Sequence, residues 1–222
     1  MVKPTAALRS FGMQDQPLGP NLRRSEIHTM DGMLGLMWYG PIDSERLVVM
    51  CPGAMGGHFG PGRGMFHQLG LALAEDGICS VSVDYRRPND LQACVLDAIA
   101  TVDLAAQRGV TKVVAIGHSF GGAIAVNVGC ILASATVGVC TLSTQSAGCE
   151  GAARLAPRPL LLIHGDRDEI LPAYVSEVVR DLAGGHGEVV IAEGEGHLLV
   201  DNSGAVFDRV LGFVRECLDP ED

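Results

Sequence analysis

The chain has 222 residues, 47% hydrophobic and 19% charged, an ordinary globular composition that fits one domain with a sizeable core. Sixteen Lys and Arg against 26 Asp and Glu give a net charge of −10, which argues against a nucleic-acid or anionic-membrane surface. Seven cysteines, an odd number without a C-x-x-C pair, suit neither a disulfide framework nor a zinc cluster, and point to a reducing, cytoplasmic setting.

Residues 1–25, with Pro4, Pro17, Gly19 and Pro20, show no sustained period. They are expected to form an N-terminal arm, laid on the domain or partly disordered, ahead of a single domain over residues 26–222. The first ten residues lack the apolar stretch of a secretion signal, and no later run approaches membrane-spanning length. Residues 25–40 read as two short strands around Met30-Asp31-Gly32, a hairpin turn signal.

Residues 46–51 form the first strongly apolar strand, which runs into the glycine-rich segment 52–64. That segment contains neither G-x-x-x-x-G-K-[ST] nor G-x-G-x-x-G, so phosphate binding is set aside, and His58 and Arg63 read as solvated loop residues. Residues 66–75 predict a helix stopped by Asp76-Gly77, and residues 78–83 a strand. The following loop, residues 84–90, leaves a strand end on the face where parallel sheets place their ligands. Arg86 or Arg87 there is a candidate partner for a substrate carboxylate, the alternative being an arginine locked to a nearby Asp. Asp90 reads as the N-cap of a helix whose apolar positions 91, 95, 98, 99, 102, 105 and 106 keep a 3.6-residue period.

The next strand, residues 112–116, meets Gly117-His118-Ser119-Phe120-Gly121-Gly122 and then a nearly continuous apolar run over 123–132. A G-x-S-x-G sequence between strand and helix forces a tight turn that lifts the serine hydroxyl above the sheet edge, which makes Ser119 a candidate nucleophile. Residues 136–143, 160–164 and 188–192 are further strands, with helices over 172–183 and 205–218. Such alternation predicts an α/β class fold: right-handed crossovers and a mostly parallel sheet with helices on both faces.

Two later segments complete a pattern with the serine turn. Leu160-Leu-Leu-Ile-His164-Gly165-Asp166-Arg167-Asp168-Glu-Ile-Leu171-Pro172 is similar to a strand ending in H-G-x-x-D-x-x-V-P, and Glu193-Gly194-Glu195-Gly196-His197 to a G-H after the last strand. From about residue 26 onward the chain resembles the α/β-hydrolase family. The resemblance implies a catalytic triad in the order Ser119, Asp168, His197, with Asp166 as a rival acid that reads better as a turn residue. Only residues 144–159 separate two of the strands, too few for a cap domain, so the likeness is to the compact, capless branch with dienelactone-hydrolase-like and small esterase proteins.

Carried over from the family, the backbone N–H groups of Ala54 and Phe120 would form an oxyanion hole, with Met55 as the alternative to Ala54. Pro52 stands where relatives have His, a departure that leaves this donor open. Met55 and Arg86 are the candidate substrate contacts. His118 and His164 read as packing and turn residues, and His28, His67 and His186 have no comparable setting. The implied activity is hydrolysis of a small-molecule carboxylic ester or thioester through an acyl-enzyme, with no metal or organic cofactor and no nucleic-acid or membrane partner. A peptidase or amidase of the same fold, and a ligand-binding receptor retaining the triad, remain open alternatives.

Overall fold

The computed structural model describes residues 4–219; residues 1–3, where the expected arm begins, and 220–222 lie outside the described residues. A short helix α1 (Pro4–Ala7) is followed by three antiparallel strands, β1 (Ser10–Gly19), β2 (Leu22–Thr29) and β3 (Gly32–Tyr39). Then come β4 (Arg46–Cys51), α2 (Pro61–Glu75), β5 (Cys79–Asp84), α3 (Leu91–Ala106), β6 (Lys112–His118) and α4 (Phe120–Ile131). The chain finishes with β7 (Thr136–Leu142), a 3-10 turn (Ala152–Leu155), β8 (Leu160–Gly165), α5 (Tyr174–Leu182), β9 (Glu188–Ala192) and α6 (Ser203–Leu218).

One nine-stranded sheet holds these strands in the order β1-β2-β3-β5-β4-β6-β7-β8-β9. From β5 across to β9 every pairing is parallel; β1, β2, β3 and the β3–β5 junction are antiparallel. Successive residues of a strand face opposite sides. Leu47, Val49 and Cys51 of β4 accordingly join a core with α3 and α4, while Val48 and Met50 join a second core with α2 and α6. Helix α4 is buried on nearly every side, which accounts for its lack of a polar stripe.

The N-terminal segment departs from the expected irregular arm. Residues 10–19 are a long edge strand and β2 begins at Leu22, so the boundary drawn at residues 25 and 26 falls inside a strand. Both faces of β1 are exposed almost throughout, which leaves no apolar alternation to read. The Met30-Asp31-Gly32 turn joins β2 to β3 in the expected place, and Asp90 caps α3 by accepting the Ala93 N–H at 3.1 Å. No described helix is long and apolar enough to cross a membrane. All seven cysteines are free; six are buried and Cys217 is partly exposed.

Two helical glycines have opposite surroundings. A Cβ at Gly70 in α2 would come 2.5 Å from the ring of Tyr39, whereas one at Gly212 in α6 would meet nothing within 4 Å. Alanine is intrinsically the better helix former by roughly 1 kcal/mol. Gly212→Ala is therefore expected to stabilise the protein by up to about 1 kcal/mol, and Gly70→Ala to destabilise it by about 1–3 kcal/mol through overpacking. Urea unfolding of both variants checks this, and a stabilised Gly70→Ala protein would contradict the packing argument.

Candidate active site

Ser119 joins β6 directly to α4, with φ 55° and ψ −121°. A non-glycine residue there is strained by about 1–3 kcal/mol and persists only where its surroundings over-determine it. They do so here through close backbone contacts. A Cβ at Gly117 would lie 1.9 Å from the Gly121 carbonyl oxygen, one at Gly121 would lie 2.0 Å from that of Cys51, and one at Gly122 would lie 2.2 Å from Thr144 Oγ1. The three glycines thus let β6, α4 and the end of β4 meet at one point. Ser119 N–H continues the sheet by donating to the Leu142 carbonyl at 2.8 Å, and its hydroxyl does not cap the helix it starts.

Asp168 follows β8 in a tight loop and its carboxylate is surrounded by donors. Oδ1 accepts the N–H groups of Ile170 and Leu171, each at 2.8 Å; Oδ2 accepts His197 Nδ1–H at 2.7 Å and His164 Nε2–H at 3.1 Å. Burial raises the Asp168 pKa, but the donors of Leu171, His197 and Ile170 outweigh burial and hold it below the usual carboxylate range. Because a carboxylate only accepts, the His197 proton sits on Nδ1 and leaves the Nε2 lone pair free. Ser119 and His197 are not hydrogen-bonded to each other, yet both line one cavity of about 400 Å³.

Residues 52–56 and Gly60 form one wall of that cavity; His118, Ile170 and Leu198 complete it. Ala54 and Met55 sit in the middle of a turn closed by Gly56 N–H donating to the Gly53 carbonyl at 3.0 Å. The turn is held from behind by Asp84, whose Oδ1 accepts the Gly57 N–H at 2.8 Å. Both candidates for the first oxyanion donor therefore lie at the cavity wall. Phe120 is the first residue of α4, so its N–H has no carbonyl four residues earlier within the helix. Its side chain is buried in the core.

Arg86 is the clear departure from the expectation of a substrate contact. Its Nε bonds Asp97 Oδ1 at 2.5 Å, its backbone N–H bonds Asp97 Oδ2 at 3.0 Å, and the side chain is 3% exposed. A guanidinium so enclosed is committed to its carboxylate and does not line the cavity. His58 is not a solvated loop residue either: half-buried, it donates from Nδ1 to the Ser82 carbonyl at 3.3 Å and docks the glycine-rich loop on β5. Asp166 accepts the Gly194 N–H at 2.6 Å, tying the Asp168 loop to the His197 loop rather than orienting the imidazole.

Two histidines read as packing and turn residues have more specific positions. His118 Nε2–H donates to the His197 carbonyl at 3.0 Å, with the two rings 5.0 Å apart. Burial pushes its pKa down to about 4, so it stays neutral near pH 7. His164 is fully buried. Its Nε2 faces two acceptors, Asp168 and the Leu171 carbonyl, so Nδ1 must accept from the Ser176 hydroxyl at 2.7 Å. Glu195, also fully buried, accepts the N–H groups of Asp201 and Asn202 and fixes the loop that carries His197. Adjacency to the serine and to the strand-end glycine was the only sequence signal for His118 and His164. Glu195 gave none.

Among the described residues no cluster of His, Cys, Asp and Glu is arranged to hold a metal ion. A family model described as the alpha/beta hydrolase family matches residues 48–156. No curated relative matches the sequence. Several solved structures share the fold over nearly their whole length. Est1E from Butyrivibrio proteoclasticus, also solved with ferulic acid bound, superposes with a TM-score of 0.72 at 18% identity, over 88% of this chain and 98% of that one. Dienelactone hydrolase from Anabaena variabilis gives 0.72 at 15% identity, over 92% and 98%. XC6422 from Xanthomonas campestris, described as a serine hydrolase without lid, gives 0.69 at 18% identity, over 93% and 100%. The described chain thus shares the α/β-hydrolase fold of these structures in its lid-less form, and its residues 48–156 match the family's model.

Proposed function

We propose that the protein is a serine esterase in which Ser119 is the nucleophile, His197 the general base and Asp168 the group that orients and stabilises the imidazolium. The observation that carries the reading is the His197 Nδ1 to Asp168 Oδ2 hydrogen bond of 2.7 Å, made beside the strained Ser119 turn on one cavity. Esterase and dienelactone hydrolase neighbours of the same fold support the ester bond as substrate.

A serine hydroxyl is a weak nucleophile until a base removes its proton. His197 Nε2 takes that proton as Ser119 Oγ attacks the carbonyl carbon of an ester or thioester. Negative charge then collects on the former carbonyl oxygen, where N–H donors from the 53–56 turn and from Phe120 stabilise it, aided by the positive end of the α4 dipole. His197 returns the proton to the departing alcohol or thiol, which leaves an acyl group on Ser119. Water, deprotonated by the same imidazole, attacks the acyl carbon; Ser119 is regenerated and a carboxylic acid leaves.

Ser119→Ala is expected to abolish labelling by a fluorophosphonate probe and to lower hydrolysis of p-nitrophenyl esters by at least about 10³-fold, with the fold retained. Asp168→Asn should cost on the order of 10³-fold to 10⁴-fold in kcat, because the imidazole loses the partner that sets its tautomer. Mass spectrometry of labelled protein and steady-state kinetics read both. Folded wild-type protein that takes no label and turns over no ester would make it a binding protein instead.

The site should also be acid-labile. The unfolded chain takes up a proton at His118 near pH 6.5, whereas the folded protein refuses it until about pH 4. Stability therefore falls as pH drops through this window, by on the order of 3 kcal/mol from His118. His164 and Asp168, both with lowered pKa values, act in the same direction. Urea unfolding at pH 7 and pH 4.5 should show the loss, and His118→Gln should reduce the difference. Equal pH dependence in the two proteins would rule out this role for His118.

A further inference from the structure

We infer that the site is built for neutral, apolar acyl groups and turns away acyl groups that carry a carboxylate. The inference rests on the esterase reading and names its substrate class. Three large apolar side chains from three different loops stand at the cavity: Met55 after β4, Ile170 after β8 and Leu198 after β9. They are 92%, 67% and 55% exposed. Exposed apolar groups scattered over a surface need no explanation, but a convergence on one pocket marks a ligand site.

Charge gives the second half of the argument. No Lys, Arg, Asp or Glu lines the cavity, and its two titratable residues are His118 and His197. Of these, His118 is buried and neutral near pH 7, so it offers no positive charge to an anion. Behind the lining stand two carboxylates. Asp84 holds the glycine-rich turn so closely that a Cβ at Gly56 would lie 2.8 Å from its Oδ1, and Asp168 lies behind the His197 ring. Arg86, the cation that the sequence offered for an anionic substrate, is consumed by Asp97. An acyl carboxylate entering here would leave water, meet no cation in the cavity lining and approach the Asp84 and Asp168 carboxylates behind it. A methylene chain would instead cover the Met55, Ile170 and Leu198 side chains, with kcat/KM rising by up to about four-fold for each CH₂ that is fully buried.

The test compares p-nitrophenyl hexanoate with the mono-p-nitrophenyl ester of adipic acid, which has an acyl chain of the same length ending in a carboxylate. Wild-type kcat/KM should be about ten-fold or more higher for hexanoate. In Ile170→Arg, which places a cation at the exposed mouth, the preference should fall several-fold, with adipate turnover rising. Equal kcat/KM for the two esters in wild type, or an unchanged ratio in Ile170→Arg, would overturn the inference while leaving the esterase standing. Absence of fluorophosphonate labelling at Ser119 together with no turnover of either ester would instead remove the esterase reading and this inference with it.

Discussion

The backbone at Ser119 is the constraint on which the arrangement depends. Its dihedral angles are unfavourable for any residue with a side chain, and they are imposed from outside by β6, α4 and the end of β4, which approach one another within distances that no Cβ tolerates. Strain of this kind requires a rigid frame. Parallel strands buried on both faces, with α3 and α4 on one side and α2 and α6 on the other, supply it. The same contacts that hold the turn set the glycine loop after β4 beside it, since a Cβ at Gly121 would strike the carbonyls of Cys51 and Pro52. Stability of the core and geometry at the cavity are therefore one property.

Asp168 and His197 are held by a different device. Neither Asp168 nor His197 is in a helix or strand, yet their loops are laced together. Asp166 N–H donates to the Ala192 carbonyl at 3.2 Å, Arg167 N–H to that of Glu195 at 2.9 Å, and Asp166 accepts the Gly194 N–H. His118 then bonds the His197 carbonyl from the serine side, so His197 is clamped from β6 as well as from the loop after β8. A further backbone bond, Gly62 N–H to the Leu198 carbonyl at 2.7 Å, ties the same loop to the start of α2. With no cap domain above it, the site takes its rigidity from these cross-connections.

Strands and helices whose apolar pattern matches their burial were legible in the sequence. Strand β4, helix α3 with its Asp90 cap, and the turn between β6 and α4 stand where periodicity and turn chemistry put them. Strand β1 was not legible, because an edge strand exposed on both faces carries no alternation and Pro17 reads as a breaker. Arg86 failed for a related reason: position after a strand end says nothing about which carboxylate, Asp97 or a ligand, reaches the guanidinium first. His118 was hidden because its partner lies in another segment, whereas His164 and Glu195 bond near neighbours across irregular loops that carry no periodic signal. A histidine 79 residues from His197 acquires its role only when the chain closes.

The cysteines lend the fold a use of their own. Six of the seven thiols are buried, and burial pushes Cys51, Cys79 and Cys149 up to about 12. A thiol in that condition is neither ionised nor reachable, so an alkylating reagent meets it only when the surrounding strand or helix opens. Because these residues sit in β4, in β5, in α3, in α4, in β7 and beside the 3-10 turn, the rate at which each sulfur is captured records how often that element comes apart. The chain thus carries probes of local opening distributed through both cores, with partly exposed Cys217 as the internal reference for reagent access.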